Sequence, residues 1–171
     1  MKVCIIGHPG SGKTYLADKL SDKTGIEKVD VDVLFDKHPF YAISKRFYLN
    51  AFNKLMMGKG SWIIDGYHTS LMPDELWQKT DKVIFLNLPK EELKQNVLTR
   101  YKTKKENKEF SHWQSTYFNN LKNFGQIKFQ DKAMSNDIAR IKSLVKNGAI
   151  FIELKTRDEI QQFVDGFPDI A

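Results

Sequence analysis

The stretch Gly7-His8-Pro9-Gly10-Ser11-Gly12-Lys13-Thr14 decides the fold of this chain, because it matches the pattern G-x-x-x-x-G-K-[ST]. The residues before it, 2–6, are apolar and typical of a buried strand, and Leu16 and Leu20 after it predict one face of a helix. Glycines let such a loop turn tightly, so that successive N–H groups converge on phosphate, and the start of the helix adds partial positive charge. The stretch therefore predicts a phosphate-binding loop in a nucleotide-binding protein.

Two side chains of this loop have specific predicted roles. Lys13 is expected to reach the β- and γ-phosphates of the nucleotide, and the Thr14 hydroxyl is expected to ligate Mg²⁺. The predicted cofactor-binding residues at the loop are Gly7, Pro9, Gly10, Ser11, Gly12, Lys13, Thr14 and the adjoining Tyr15.

Composition limits what kind of protein this is. A length of 171 residues predicts one domain, residues 1–171, with the composition of an ordinary globular protein. No apolar run approaches the roughly 20 residues needed to span a bilayer, and no signal peptide is evident, so we expect a cytoplasmic protein. Cys4 is the single cysteine; it excludes an internal disulfide and is expected to be a core residue.

The formal net charge of +6 favours an anionic partner, either nucleic acid or a phosphorylated small molecule. Most of the basic residues are lysines, although a bidentate clamp on phosphate needs the guanidinium of arginine. Any such clamp must come from the four arginines, each of which could also be a solvated surface cation: Arg46, Arg100, Arg140 and Arg157.

The order of predicted elements is strand, helix, strand, helix, repeated, which indicates a parallel sheet covered by helices on both faces. The predicted strands cover residues 2–6, 61–65, 82–88 and 149–154, together with a short second strand that begins at Ile26 and ends near Asp30 or Asp32. The predicted helices cover residues 15–23, 43–57, 73–79, 90–103, 111–123, 127–147 and 156–165. Thr156 and Glu159 have the spacing of a capping box at the start of the last helix.

Two carboxylates are predicted at the carboxyl ends of strands, where parallel sheets bind ligands. Asp65 ends the third strand and can hold Mg²⁺ beside Thr14, although an Asp before Gly66 is also typical of a turn. Asp32, or alternatively Asp30, ends the second strand and can orient or deprotonate an acceptor hydroxyl. A helix cap or a surface acid is the competing interpretation of that residue.

A polar, lysine-rich segment follows the fourth strand and its helix. A lid around residues 101–112 is expected to close on the nucleotide, although such lysines are often only a solvated helix face. Arg100, beside the lid, and Arg140, on a later helix, are predicted to stabilise the transferring phosphoryl group. Trp113 with its neighbours Tyr117 and Phe118 could form a nucleic-acid platform, but their helical spacing favours core positions.

The chain resembles the bacterial DNA topology modulation proteins, which are small adenylate-kinase-like P-loop proteins. The residues that carry the resemblance are the loop Gly7–Thr14, Ser61-Trp62-Ile63-Ile64-Asp65-Gly66-Tyr67, Val83-Ile84-Phe85-Leu86-Asn87-Leu88-Pro89 and Leu154-Lys155-Thr156-Arg157-Asp158-Glu159. It implies a three-layer α/β/α P-loop NTPase fold with a five-stranded parallel sheet of order 2-3-1-4-5, a short lid, and ATP with Mg²⁺. It also implies that Lys155-Thr156-Arg157 lies along the adenine ring, so that Arg157 contacts the nucleotide.

The chain departs from the related kinases after Asp65-Gly66, where they carry an arginine that clamps the acceptor's phosphate and this chain has Tyr67-His68-Thr69-Ser70. We predict an ATP- and Mg²⁺-dependent phosphotransferase of the nucleoside- or nucleotide-kinase type, with Lys13, Asp32, Arg100 and Arg140 as catalytic residues. The alternative is a nucleotide-binding regulator associated with DNA. No DNA-binding module is recognisable in the sequence, and the histidines and Cys4 lack the spacing of a zinc site.

Overall fold

The computed structural model describes residues 1–34, 44–66, 71–106 and 131–168. The strands are β1 (Lys2–Gly7), β2 (Lys28–Asp30), β3 (Trp62–Asp65), β4 (Lys82–Leu86) and β5 (Ile150–Leu154). The helices are α1 (Lys13–Thr24), α2 (Lys45–Met56), α3 (Asp74–Lys79), α4 (Lys90–Glu106), α5 (Asp131–Leu144) and α6 (Arg157–Asp165).

All four strand pairings are parallel, and the sheet order is β2-β3-β1-β4-β5. β1 lies at the centre because its residues are apolar on both faces, as a strand covered on both sides requires. The predicted strand order and layer arrangement are therefore confirmed: this is the fold of P-loop NTPase kinases.

The side chains of the sheet alternate between two cores. Val3 and Ile5 of β1 pack in one core with residues of α1, α4 and α6, among them Leu16, Leu93 and Ile160. The neighbouring residues of β1 pack in the other core with residues of α2, α3 and α5: Cys4, Ile6, Tyr48, Phe52, Leu76, Trp77, Met134 and Ile141. The predicted core position of Cys4 is confirmed, and burial raises the pKa of its thiol to about 12.

The second strand starts two residues later than predicted, at Lys28, and ends at Asp30, one of the two predicted end points. β2 ends at Asp30 because the chain turns there: the backbone N–H of Asp32 donates to the Asp30 carboxylate at 2.9 Å. Val31 still donates its N–H to the Asp65 carbonyl, 3.0 Å away, so the turn stays attached to β3. The turn places the carboxylates of Asp30 and Asp32 at the carboxyl end of the sheet.

Part of the expected lid lies outside the described residues. Residues 101–106 belong to α4, which ends at Glu106, three residues after the predicted end near residue 103. Residues 107–112 and the predicted helix 111–123, with its aromatic residues, lie outside the described residues. The described part of the predicted helix 127–147 is α5. Within the described ranges, no helix has both the length and the apolar character needed to cross a membrane.

Candidate functional site

The loop between β1 and α1 has the backbone conformation of an anion-binding turn. Gly10 and Gly12 have φ values of 83° and 89°, left-handed conformations that glycine adopts without strain. Gly12 is also the N-cap of α1, so the helix begins at Lys13. Left-handed residues alternating with ordinary ones bring successive N–H groups together in a concave surface that suits phosphate.

Two of the loop glycines are required by close packing. A Cβ on Gly7 would lie 2.7 Å from the carbonyl oxygen of Leu86, in β4. A Cβ on Gly10 would lie 2.7 Å from the carbonyl oxygen of Leu93 and 2.9 Å from Val97, both in α4. The loop is therefore pressed against β4 and α4, and its shape depends on both.

Lys13 is buried at the base of this loop, with only 8% of its surface exposed. Its ammonium donates a hydrogen bond to the His8 carbonyl oxygen at 3.1 Å, and the Ser11 N–H donates to the same oxygen at 3.2 Å. Burial lowers the pKa of Lys13, and the charge of Arg100 lowers it further. The carboxylates of Asp65, Asp32 and Asp30 oppose that shift and favour the charged form of the lysine.

Asp30, Asp32 and Asp65 form what we call the carboxylate cluster. Asp30 is the register partner of Asp65 in the pairing of β2 with β3. Asp65 is 4% exposed, and the pKa of Asp30 is raised, first by burial and then by the charge of Asp32. The structure thus brings Asp65, which is predicted for the metal, together with Asp32 and Asp30, the two alternatives predicted for the acceptor.

Gly66 is what allows β3 to end beside this cluster. A Cβ on Gly66 would lie 2.0 Å from a methyl group of Val31 and 3.5 Å from a carboxylate oxygen of Asp32. The Asp65-Gly66 pair is therefore more than a generic turn signal, because the glycine leaves room for the segment that carries Asp32.

The donor atoms of the site suit Mg²⁺. A magnesium ion in a nucleotide site takes one or two protein oxygens and completes its shell with phosphate oxygens and water. The Thr14 hydroxyl, on an exposed residue of the first helical turn, and the carboxylate of Asp65 are the oxygens predicted for it. Across the described residues, no three His, Cys, Asp or Glu side chains form a group that holds a metal ion by itself.

Two other predicted residues, Arg100 and Arg140, lie on helices α4 and α5. Arg100 is exposed on α4, near enough for its charge to act on Lys13. Arg140 donates to the Asp74 carboxylate at 2.5 Å and to the Met72 carbonyl at 3.2 Å, which ties α5 to the start of α3. The catalytic role of Arg140 stays a prediction, and the contacts described give it a role in holding two helices together.

Two residues predicted to contact the nucleotide also have partners in the protein. The Tyr15 hydroxyl donates to Gln161 in α6 at 3.0 Å. Arg157, at the start of α6, pairs with Glu92 and donates to the Asn96 side-chain oxygen at 2.7 Å. The Thr156 hydroxyl accepts the Glu159 N–H at 3.1 Å, as a capping box requires, but the Glu159 carboxylate accepts from the Lys155 N–H instead of from Thr156.

Sequence reasoning missed two residues of this region. Asn96, in α4, donates its side-chain amide to the Gly10 carbonyl oxygen at 2.8 Å. Tyr48, in α2, is fully buried, and burial together with the charge of Asp32 raises its pKa. No local pattern marks either residue, since each reaches the site through the packing of its helix against a distant part of the chain.

Solved structures share this fold. A shikimate kinase from Bacteroides thetaiotaomicron is 16% identical, with a TM-score of 0.53, over 96% of this chain and 94% of that one. A sugar kinase from Janibacter sp. is 19% identical, with a TM-score of 0.51, over 96% and 90% of the two chains. A shikimate kinase from Acinetobacter baumannii, in complex with shikimate, is 15% identical, with a TM-score of 0.51, over 96% and 92%. At these identities the likeness shows the fold alone.

A comparison with curated protein sequences finds no match. The resemblance to the DNA topology modulation proteins is not tested by these comparisons and stays a prediction. A family model described as an AAA domain matches residues 3–115, which include the phosphate loop, the carboxylate cluster and Arg100. Since that match covers more than half of the chain, the protein belongs to the AAA domain family.

Proposed function

We propose that this protein is an ATP- and Mg²⁺-dependent phosphotransferase acting on a small hydroxyl-bearing acceptor of the nucleoside or nucleotide class. The observation that carries the proposal is Lys13, a buried residue of the phosphate loop whose pKa is lowered by burial, an effect that the charges of the carboxylate cluster oppose. A buried lysine at a phosphate-binding turn supplies positive charge to phosphates, and carboxylates that act on it can serve a metal and an acceptor. The fold shared with a shikimate kinase and a sugar kinase supports the same reaction class.

Each group of residues in the proposed site has its own role in phosphoryl transfer. The loop amides and Lys13 hold the β- and γ-phosphates, while Thr14 and Asp65 provide oxygens for Mg²⁺, which neutralises developing charge on the phosphates. Asp32 accepts the proton of the acceptor hydroxyl as that oxygen bonds to the γ-phosphorus. The bond between the γ-phosphorus and its bridging oxygen then breaks and leaves ADP. Arg100 stabilises the charge on the transferring group from α4.

Asp32 is a better candidate for the base than its neighbour Asp30. The Asp30 carboxylate accepts the Asp32 backbone N–H at 2.9 Å, so it already has a structural role in the turn after β2. A carboxylate oxygen of Asp32 would lie 3.5 Å from a Cβ on Gly66, and the charge of Asp32 helps to raise the pKa of Tyr48. The two acids form a matched pair for mutagenesis, because both are aspartates of the same turn after β2 and only Asp30 accepts the hydrogen bond of that turn.

The first experiment measures Mg·ATP binding by calorimetry for the wild-type protein and Lys13→Ala. Lys79→Ala is the matched control. That lysine is exposed at the end of α3, next to the start of β4, and therefore lies at the amino ends of the strands, whereas the phosphate loop follows the carboxyl end of β1. We expect Lys13→Ala to weaken Mg·ATP binding at least tenfold and Lys79→Ala to leave it unchanged. Equal affinities of the wild type and Lys13→Ala would contradict the proposal.

The second experiment measures transfer from γ-labelled ATP to a panel of nucleosides, nucleoside monophosphates and small hydroxylated metabolites. Asp32→Asn is expected to lower kcat by roughly 10²–10⁴-fold, the usual contribution of a general base. Asp30→Asn, which keeps an oxygen for the Asp32 N–H, is expected to lower kcat less than tenfold. Tight ATP binding with neither transfer nor hydrolysis would contradict a phosphotransferase and favour a nucleotide-binding regulator.

A further inference from the structure

The apex of the phosphate loop is held from outside by a side chain that belongs to neither the loop nor the carboxylate cluster. Asn96 donates its side-chain amide to the Gly10 carbonyl at 2.8 Å, and its side-chain oxygen accepts from Arg157 at 2.7 Å. The three residues lie on three separate elements: the loop, α4 and the start of α6. They form a hydrogen-bonded line from the predicted adenine side of the nucleotide to the turn predicted to hold its phosphates.

The loop needs such an outside partner for a physical reason. When the N–H groups of a turn converge on an anion, the carbonyl groups of the same peptides point away from it and require other donors. The His8 carbonyl finds its donors within the loop, in Lys13 and the Ser11 N–H. The donor to the Gly10 carbonyl comes from Asn96 in α4.

The orientation of the Asn96 amide is decided by its partners. A guanidinium only donates and a carbonyl only accepts, so the oxygen of Asn96 must face Arg157 and its nitrogen must face Gly10. Arg157 therefore selects the orientation in which Asn96 can hold the loop. Arg157 is itself kept in place by Glu92, one turn before Asn96 on α4.

The same helix carries Arg100 four residues after Asn96, one turn further along the same face. Leu93 and Val97 press against Gly10 so closely that no Cβ fits there, which fixes the distance between α4 and the loop. We propose that Asn96 is a positioning residue of the nucleotide site: it locks the loop apex to α4 and thereby sets where Arg100 stands relative to the phosphates. The role of Arg100 in this inference rests on the proposed function, whereas the locking of the loop does not.

The experiment compares Asn96→Ala and Asn96→Asp with the wild-type protein. Asn96→Asp keeps an oxygen for Arg157 but places a second carboxylate oxygen against the Gly10 carbonyl, so it breaks only the bond to the loop. Gln95→Ala is the matched control, because it removes a side-chain amide from the exposed face of the same helix. Hydrogen exchange of the loop amides is measured without nucleotide, and Mg·ATP affinity, kcat and the two KM values are measured separately.

We expect both Asn96 variants to speed exchange of the amides of residues 10–13 about tenfold, while exchange in β1 and β4 stays at the wild-type rate. Mg·ATP affinity is expected to fall about tenfold and kcat to fall as well, with the acceptor KM unchanged. Wild-type exchange in the loop of Asn96→Ala, or an equal increase throughout the protein, would overturn the inference. A wild-type protein that binds no nucleotide would contradict the proposed function, and the exchange rates of the loop would still decide the role of Asn96.

Discussion

The phosphate loop contains Lys13 and the carboxylate cluster acts on its charge, yet different contacts hold the two regions in place. The loop is fixed by close packing against α4 and by donors to its carbonyl groups. The carboxylate cluster is fixed by the pairing of β2 with β3, which places Asp30 beside Asp65 although their charges repel.

This difference indicates a division between backbone and side-chain functions. In the proposed site the loop supplies main-chain N–H groups to the nucleotide phosphates, and its glycines serve the geometry of the turn. The cluster presents ionisable side chains, whose charges also offset part of the cost of burying Lys13. Substitutions in the loop should therefore act through shape, and substitutions in the cluster should act mainly through charge.

The largest effect is expected from Gly10→Ala, because the added methyl group does not fit in the phosphate loop. The new Cβ would clash with the Leu93 carbonyl and with Val97, and alanine is strained at a φ of 83°. We expect a loss of about 2–4 kcal/mol in the free energy of unfolding and the loss of measurable nucleotide binding. Chemical denaturation and calorimetry measure the two effects.

Gly58→Ala is the control for this substitution. Gly58 has a φ of 79° but nothing within 4 Å of a new Cβ, so it reports the backbone strain alone. We expect Gly58→Ala to lower the free energy of unfolding by about 1–2 kcal/mol and to leave nucleotide binding unchanged. Equal losses in the two variants would show that packing against α4 does not shape the loop.

The next largest effect is expected from Gly66→Ala, which tests the one place where the carboxylate cluster depends on shape. A Cβ there would lie 2.0 Å from the side chain of Val31, which is stiff and fully buried. Overpacking of this kind costs about 1–3 kcal/mol. Gly60→Ala, with open space around its Cβ, should change the unfolding free energy by less than about 0.5 kcal/mol.

Nucleotide binding separates Gly66→Ala from Gly10→Ala. The phosphate loop does not contain Gly66, so Mg·ATP affinity should fall much less in Gly66→Ala, while transfer to the acceptor should fall strongly because Asp32 is displaced. If Gly66→Ala abolished ATP binding to the same extent as Gly10→Ala, the proposed division between the two regions would be wrong.

The smallest effect is expected from Asp30→Asn, which removes a charge from the cluster and keeps the turn. The folded-state pKa of Asp30 is raised by burial and by Asp32, so its ionised carboxylate lowers stability at neutral pH. We expect Asp30→Asn to raise the free energy of unfolding at pH 7 by only about 0.5 kcal/mol, because Asp30 is only partly buried and the solvent that reaches it screens its charge.

The pH dependence of this gain has a definite sign. Since the folded-state pKa lies above the unfolded-state value, the cost of the Asp30 charge fades as the pH falls through the folded-state pKa and is gone below about pH 4. The stability difference between Asp30→Asn and the wild type should disappear over that range. Asp22→Asn, at an exposed position of α1, serves as the control. A difference that persisted unchanged at pH 3 would contradict an electrostatic origin.

Most of the fold could be predicted from the sequence because its signals are local. The apolar runs of β1 and β4, the glycine pattern of residues 7–14 and the Thr156 cap each act within a few residues, and the structure has them at the predicted places. The end of β2 was predicted only as a choice between Asp30 and Asp32, since apolar and acidic residues continue to alternate beyond the point where the chain turns at Asp30.

The sequence by itself determined the layer order of the fold, the phosphate loop, and which acids follow which strands, because periodicity and loop chemistry depend on neighbouring residues. Only the tertiary structure decided that Asn96 holds Gly10, 86 positions away, and that Asp30 lies beside Asp65. It also decided that Arg140 donates to Asp74, 66 positions away, and Arg157 to Asn96, 61 positions away. Such contacts depend on strand order and on the rotation of each packed helix, which no local pattern in the sequence specifies.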